Sequence, residues 1–600
     1  MKSRVTYLVL LVVVAAGALA FRLPRLADRP MHADEAVQAA IFRKLWLEGR
    51  YEYDPNEFHG PTLPYATLPS AWLSGAATFA QTDAATYRVV PVVFGAGLIL
   101  LLCLLDDALG KPAALCAGVL TAISPAMVFY SRYYIHETLL VFLTLAAIGA
   151  GWRYARSGKL AWCLVAGACL GLMQATKETC VLVYLAMGIG LACEAAWSWR
   201  TRGRGSEKGD AALFRCGKEL RPRLRHGLLT VPLGVGSEDP GAGGTVRRPC
   251  HNSGRPCHNS AVPLAGTARP GFRPWHLAAG LAAAILVALT LLSSFFTNPR
   301  GPADGVLTYL PWLSRAGGDT PHVHPWYYYL HLLAWWRAGD GPRWSEGFIL
   351  GLAAVGFAAA LLPHEKGDAA LFRNRKALRP LSLAVPEKRC VPFFVRWIGF
   401  YTLALVAMYS ALPYKTPWCL LGFLHGMILL AGVGAVALLR AVPTRPLKGL
   451  VALVLLAGAG QLAWQSHRAA YVLAADPSNP YVYAHTIPDV TRLAGDVERL
   501  AEASPDGRRV RIHVVWQDPY YWPLPWYLRG FERVGYWTGV PESPGAPIVV
   551  SSPRFDAALT ERLDATHLMT GYYGIRPNVL AQVWVRMDLW EAHLRRLGRL

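Results

Sequence analysis

The chain has 600 residues, 53% of them hydrophobic and only 16% charged, with a mean hydropathy of +0.27. Soluble proteins carry about 25% charged residues, so this composition excludes a string of soluble domains, a disordered chain, a coiled coil and a small disulfide scaffold. The formal charge of +21, from 60 Lys+Arg against 39 Asp+Glu, suits either a polyanion binder or a membrane protein with basic inner loops, and the placement of the charges decides between them.

A transmembrane helix needs about 20 mostly apolar residues. Such runs occur at 5–21, 86–105, 112–130, 136–152, 160–174, 180–197, 275–296, 346–363, 391–412, 417–439 and 447–466. The first follows Lys2 and Arg4 and ends in small residues, as a signal peptide would. Ten later runs make it a retained signal anchor. With the amino terminus inside, the segments 153–159, 198–273, 364–391 and 440–448 all fall inside and all are basic, as the positive-inside rule requires. Counted over 1–4, 106–111, 153–159, 198–273, 364–396 and 440–448, the inner segments then hold 31 of the 60 Lys+Arg and 10 of the 39 Asp+Glu, leaving the remainder neutral. The net charge thus reads as membrane orientation. No basic outer domain and no nucleic-acid motif is present, so nucleic acid is not an expected partner. The apolar stretch 62–80 holds two prolines, directly preceded by a third at Pro61, and reads as a juxtamembrane helix within the first outer loop, 22–85.

Two inner loops carry copied sequence. Residues 207–222 (EKGDAALFRCGKELRP) recur at 365–380 with three differences, and RPCHNS occurs twice in tandem at 248–260. Near-identical copies in unrelated loops read as inserts that exposed loops tolerate, so 200–270 and 364–390 are expected to be disordered. The tandem copy also explains Cys250-His251 and Cys257-His258 better than a zinc site does.

From 467 to 600 the pattern changes. Val510–Trp516, Ile548–Ser552 and Gln582–Met587 read as strands, and Asp489–Ala503 and Asp556–Asp564 as amphipathic helices. The expected fold class is therefore a polytopic α-helical membrane protein of about 11 transmembrane helices over 1–466, with a small extracytoplasmic α/β C-terminal domain over 467–600. The tail has no Gly-rich phosphate loop.

The candidate chemistry lies in the outer segments. Asp34 and Glu35 directly follow the first span; adjacent carboxylates can act as a base, hydrogen-bond a sugar or hold a metal. Asp34 as an ordinary helix N-cap is the competing reading. His59 stands in an HGP segment. Arg132, Tyr133, His136 and Glu137 occupy one short outer turn, Lys177 and Glu178 a second, and Lys415 a third. Ionisable groups at span ends are costly unless paired or functional, and these can converge only at the outer mouth of the bundle. Arg132, Lys177 and Lys415 suit a phosphate. His324 and Trp326 sit in the aromatic-rich loop 297–345, which suits an interfacial belt and also sugar stacking. The cysteines of the spans carry no CxxC pair and read as buried apolar residues.

The ordered set MHADEA, YEYDPNEFHGP, SRYYIHETLLVF, ATKET, PYKTPW and NPYVYAHTIPDV resembles the GT-C glycosyltransferases. Within them it looks like the protein O-mannosyltransferase and lipid A aminoarabinose transferase superfamily, and closest to the prokaryotic "flippase activity-associated protein" subfamily. The resemblance covers most of the chain apart from the two inserted loops. It implies transfer of a sugar, of the hexosyl or mannosyl kind, from a polyprenyl-phosphate donor to a protein, lipid or glycan acceptor at the extracytoplasmic face of the plasma (inner) membrane, in cell-envelope glycosylation. Asp34 matches the aspartate of the first outer loop that acts as base or acceptor-positioning group, with Glu35 as the second acid. Arg132, Lys177 and Lys415 would take the donor phosphate. His59, Tyr133, His136, Glu137, Glu178, His324 and Trp326 would line the substrate. No cofactor is implied, although His136-Glu137 departs from the usual second acidic motif and leaves a divalent metal open. Two alternatives stand beside this reading: a lipid-linked-sugar flippase component or transporter, and a non-catalytic membrane assembly protein. Interrupted inverted repeats would favour the transporter, and none is visible.

Overall fold

The computed structural model describes residues 3–56, 59–202, 273–316, 322–362, 390–517 and 519–600. Both copied segments and the Cys-His tandem lie outside the described residues.

All eleven apolar runs are helical. The chain begins with α1 (Arg4–Arg22), then α2 (Ala33–Glu48), α3 (Thr62–Leu73), α4 (Ala84–Leu101), α5 (Lys111–Ile123), α6 (Pro125–Tyr130), α7 (Glu137–Ser157), α8 (Leu160–Gln174) and α9 (Cys180–Arg202). It continues with α10 (Pro274–Leu292), the short α11 (Gly301–Leu307), α12 (Tyr309–Ala316) and α13 (Tyr328–Ala334), then α14 (Gly347–Leu361), α15 (Cys390–Ala411), α16 (Leu421–Ala441) and α17 (Arg445–His467). Among the described residues, eight helical segments are long and apolar enough to cross a membrane, and α8 and α14 are shorter apolar helices. The remaining apolar run, 112–130, is broken into α5 and α6 because Ser124 caps the second piece and Pro125 starts it. At 12 residues, α3 is roughly 18 Å long, too short to span, consistent with its placement in the first outer loop.

Tracing the helices alternately up and down puts the ends of α1, α8, α10 and α15 at one end of the bundle, called the upper end. Contacts bear this out: the Gly60 amide donates to Thr176 O (3.1 Å) and the Lys415 amide to His322 O (2.9 Å). At the lower end Arg153 pairs with Asp106 (2.7 Å), and Arg153 and Arg156 with Asp107 (3.4 Å each). Helices α8 and α10 press together where a Cβ on Gly167 would stand 1.9 Å from Gly280 O, the small-residue contact that lets membrane helices approach closely.

Beyond α17 the chain forms a five-stranded sheet in the order β2-β1-β3-β5-β4, built from β1 (Ile512–Val515), β2 (Val534–Trp537), β3 (Ile548–Ser551), β4 (His567–Arg576) and β5 (Val579–Arg586). β1 runs parallel to β2 and β3, whereas β5 is antiparallel to β3 and β4. One face packs on α18 (Asp489–Ala503) through Leu493, Val497, Ile512, Val514, Val583 and Val585; the other buries Val515, Val549 and Trp584 against Leu559 and Leu563 of α19 (Asp556–Leu563). The domain docks on the first loop: the Met31 amide donates to the Tyr527 hydroxyl (2.9 Å), Arg529 donates to Thr82 O (2.7 Å), and Trp526 lies edge-on to Phe79 and Tyr87.

Candidate active site

The site is built around the start of α2. Here the N-cap is His32, not Asp34: His32 Nδ1 accepts from the Asp34 amide (3.0 Å), while Glu35 reaches back to the His32 amide (3.1 Å). That reciprocal capping box satisfies two orphan donors without using the Asp34 carboxylate. His32 Nε2 then donates to Tyr483 O (3.0 Å). With Nδ1 accepting and burial pushing its pKa down, His32 is a neutral imidazole.

Glu35 is fully buried and spent on structure. Its oxygens take Arg88 Nε and Nη2 (2.7 and 2.6 Å), Arg29 Nη2 (3.0 Å) and the Tyr134 amide (2.9 Å). Burial alone would raise its pKa, but Arg29 and Arg88 hold it far below the usual carboxylate range. Asp34 is the opposite case. Its side chain is 48% exposed, and among the described residues its nearest ionisable partner is His32 Nδ1 at 3.9 Å. Within electrostatic range of it lie His322, Tyr483 and Tyr133, the first two joined Nδ1 to hydroxyl at 2.6 Å, while Tyr133, His485 and Trp418 pack around the neighbouring His32 ring. The rings of Tyr133 and His485 stack at 5.5 Å, and Trp418 approaches Tyr483 at 5.9 Å. A half-exposed carboxylate, without a charged partner among the described residues, therefore stands beside an aromatic cluster built on His32, of the kind that stacks on sugar faces.

The other expected residues form a second group beside it. His59 Nδ1 bonds Glu178 Oε2 (3.0 Å), and its ring stacks on Trp312 (5.4 Å) and meets His136 (5.0 Å). His136 Nε2 donates to Gly60 O (3.1 Å), so its Nδ1 is the unprotonated nitrogen. Gly60 must be glycine, since a Cβ would stand 2.1 Å from Ala175 O. Lys177 is ion-paired with Glu137, both nearly buried. His136 Nδ1, Glu178 Oε1 and the Tyr133 hydroxyl are buried without a partner.

Arg132 donates to Pro24 O (2.8 Å), Arg25 O (3.2 Å) and Arg22 O, and lies over the Tyr471 ring. It ties down the exit of α1. Lys415 donates to His324 O (3.1 Å) and Leu412 O, and no carboxylate offsets its charge among the described residues. His324 stacks on Tyr328 (4.2 Å), whereas Trp326 stands exposed with its ring edge-on to Tyr327. His322, from the aromatic-rich loop 297–345, lies near Asp34 together with Tyr483, and His485 packs on His32; no feature of the sequence marks Tyr483 or His485 individually. The motif NPYVYAH carries both. Among the described residues no group of three His, Cys, Asp or Glu side chains is arranged to hold a metal.

A family model described as Dolichyl-phosphate-mannose-protein mannosyltransferase matches residues 66–208. No curated protein matches the chain. Among solved structures, ArnT from Cupriavidus metallidurans bound to undecaprenyl phosphate is similar over 97% of this chain and 98% of its own, at 14% identity and a TM-score of 0.57. The same protein in its apo state gives 95% and 97% coverage, 14% identity and a TM-score of 0.55. At this identity the likeness concerns the fold, and it spans both the bundle and the C-terminal domain: the chain is a multi-pass membrane protein of GT-C architecture carrying a small C-terminal sheet domain.

Proposed function

We propose that the chain is a membrane glycosyltransferase that moves a sugar from a polyprenyl-phosphate donor to an acceptor hydroxyl. The observation that carries this reading is the Asp34 carboxylate: half exposed, not used as a helix cap, and with only the neutral His32 ring within ion-pair distance among the described residues, beside a Glu35 neutralised by Arg29 and Arg88. The fold shared with ArnT, whose structure holds undecaprenyl phosphate, supports a lipid-phosphate donor. The mannosyltransferase family model over 66–208 supports a hexose as the sugar. The motif set supports the prokaryotic flippase-associated subfamily.

In this mechanism Asp34 takes the proton of the acceptor hydroxyl. The acceptor oxygen attacks the anomeric carbon, the bond from that carbon to the phosphate oxygen breaks with inversion, and polyprenyl phosphate departs. Lys415 is the cation assigned to the developing phosphate charge, because Lys177 is neutralised by Glu137 and Arg132 is spent on α1. Arg132 adds its field without direct contact. His59, Tyr133, His136, Glu178, His324 and Trp326 border the sugar and acceptor. The basic segments 153–159, 198–273, 364–391 and 440–448 support an orientation with the upper end, the site and the C-terminal domain on the extracytoplasmic side of the plasma membrane.

The test is incubation of purified protein with a panel of polyprenyl-phosphate sugars, reading release of free polyprenyl phosphate. Release from one donor, abolished by Asp34→Asn, is expected. Undiminished release by Asp34→Asn overturns the assignment, and no release from any donor overturns the function.

A further inference from the structure

The C-terminal domain brings a charged side chain to Asp34. Arg576 is the last residue of β4 and, paired with Val579, closes the β4–β5 hairpin across Pro577 and Asn578. Asn578 adopts the left-handed conformation (φ 64°) that such a turn needs. Two bonds fasten this hairpin to the linker that lines the site. The Ile487 amide donates to Ile575 O (3.1 Å), and the Gly574 amide donates to the Asp489 carboxylate (2.6 Å). Two residues before Ile487, the His485 ring lies 4.8 Å from His32, the cap of the helix that carries Asp34. A second anchor is the segment after Pro519: Arg576 Nη2 donates to Tyr520 O (2.9 Å), and Tyr527 further along is bonded to Met31, three residues before Asp34.

The guanidinium is poorly satisfied. Its Nε is buried without a partner, and it lies over the Tyr520 ring at 5.9 Å. Burial disfavours its charge, and among the described residues Asp34 is the one carboxylate close enough to favour it. Yet the two form no ion pair. A cation from one domain and a carboxylate from another thus lie within electrostatic range without touching, the guanidinium keeping a buried, unpartnered Nε.

We propose that Arg576 binds an anionic group on the acceptor, so that the acceptor is a hydroxyl compound bearing a carboxylate or phosphate. This rests on the glycosyltransferase reading of Asp34. The acceptor spans the gap, its hydroxyl at Asp34 and its anion on Arg576, whose planar fork matches either oxyanion. The donor phosphate is the other possible source of an anion. Arg576 belongs to the domain that follows the last spanning helix, so what it grips arrives from the water side, whereas Lys415 stands at the end of a span, where a lipid phosphate lies.

The experiment uses the full chain in detergent, with a polyprenyl-phosphate sugar that the wild type turns over and with glycerol 3-phosphate, glycerate and neutral glycerol as acceptor probes. The wild type is expected to prefer the two anions. Arg576→Ala is expected to raise their KM by about 10- to 100-fold, the worth of charge-assisted hydrogen bonds, to leave the KM for donor unchanged, and to erase the preference over glycerol. Arg576→Lys keeps the charge and is expected to retain part of the preference, which separates loss of binding from loss of folding. Equal use of glycerol and the anions by the wild type, an unchanged preference in Arg576→Ala, or a raised donor KM each overturns the proposal while leaving the transferase reading intact. Hydrolysis of the donor by water, still dependent on Asp34, reports on that reading separately.

Discussion

Asp34 and Glu35 are consecutive residues on the first turn of α2, yet one carboxylate is 48% exposed and the other is completely enclosed by Arg29 and Arg88. The capping box produces the split. His32 caps the helix and Glu35 closes the box, so Glu35 turns inward to Arg88 and the Tyr134 amide. The position between them turns away, towards His322 and Tyr483. Adjacent acids therefore divide into one that builds the site and one free to act in it.

The two residues should separate cleanly on mutation. Glu35→Gln leaves two buried guanidinium groups without a counter-charge, and breaking a buried pair from one side costs about 3–5 kcal/mol. A large fall in the thermal midpoint of the detergent-solubilised protein is expected. Asp34→Asn should leave that midpoint unchanged and abolish transfer. If both variants were equally stable, Glu35 would not be the keystone described.

Acid stability follows from the same pair. Unfolded, Glu35 titrates near its ordinary value of about 4.3; folded, Arg29 and Arg88 hold it protonation-resistant well below that. Below the ordinary value the unfolded state binds the extra proton, so stability from Glu35 is fully present above about pH 4.3 and is lost as the pH falls towards the folded value. Unfolding midpoints taken from pH 6 to pH 3 should fall more steeply for the wild type than for Glu35→Gln. Parallel curves would contradict the depressed carboxyl.

Much of this molecule is legible from composition and period, and the exceptions have specific causes. The spans are plain because twenty apolar residues in a row have few other uses, although the break at Ser124-Pro125 matters only once α6 is seen to lead into the 131–136 turn. β2 gives no strand signal in the sequence because it is four residues long, half-exposed and contains Gly535. β4 is hidden because register shifts between Met569 and Gly571 and between Gly574 and Arg576 break the two-residue alternation. In the site, the acidic pair at 34–35 is readable, but its division is not, because Arg88 and Tyr134 lie 53 and 99 residues away. Arg132 looks like a free cation in sequence. Its partners are backbone carbonyls at the exit of α1, which no side-chain pattern reveals.

The Glu137–Lys177 pair distinguishes a structural role from a phosphate-binding one. Each single change, Glu137→Gln or Lys177→Met, strands a nearly buried charge and should destabilise strongly. The double variant removes both charges and should recover most of the loss, giving a large favourable coupling in the cycle. If the recovered double variant also kept the KM for donor, Lys177 would be a positioning residue for the 175–179 turn. A donor KM raised in the stable double variant would return Lys177 to the phosphate site.

Lys415 carries the sharper prediction for the donor. Its ammonium is held by His324 O and Leu412 O, dipoles that fix its direction without cancelling its charge. The antiparallel bridge between Val323 and Tyr414 keeps both segments in register. Lys415→Met retains most of the stem, so the folded state should survive with a modest loss, while a departing phosphate loses its cation. Removing one such preorganised group costs about 10²–10³-fold in turnover, and that loss is expected here with release of polyprenyl phosphate as the readout. Because the effect is charge on a leaving group, Lys415→Arg should recover part of the rate. It should recover more with donors whose leaving phosphate carries greater charge. An Arg variant as inactive as the Met variant, with an unchanged thermal midpoint in both, would show that the lysine acts through its fit between two carbonyls and not through its charge.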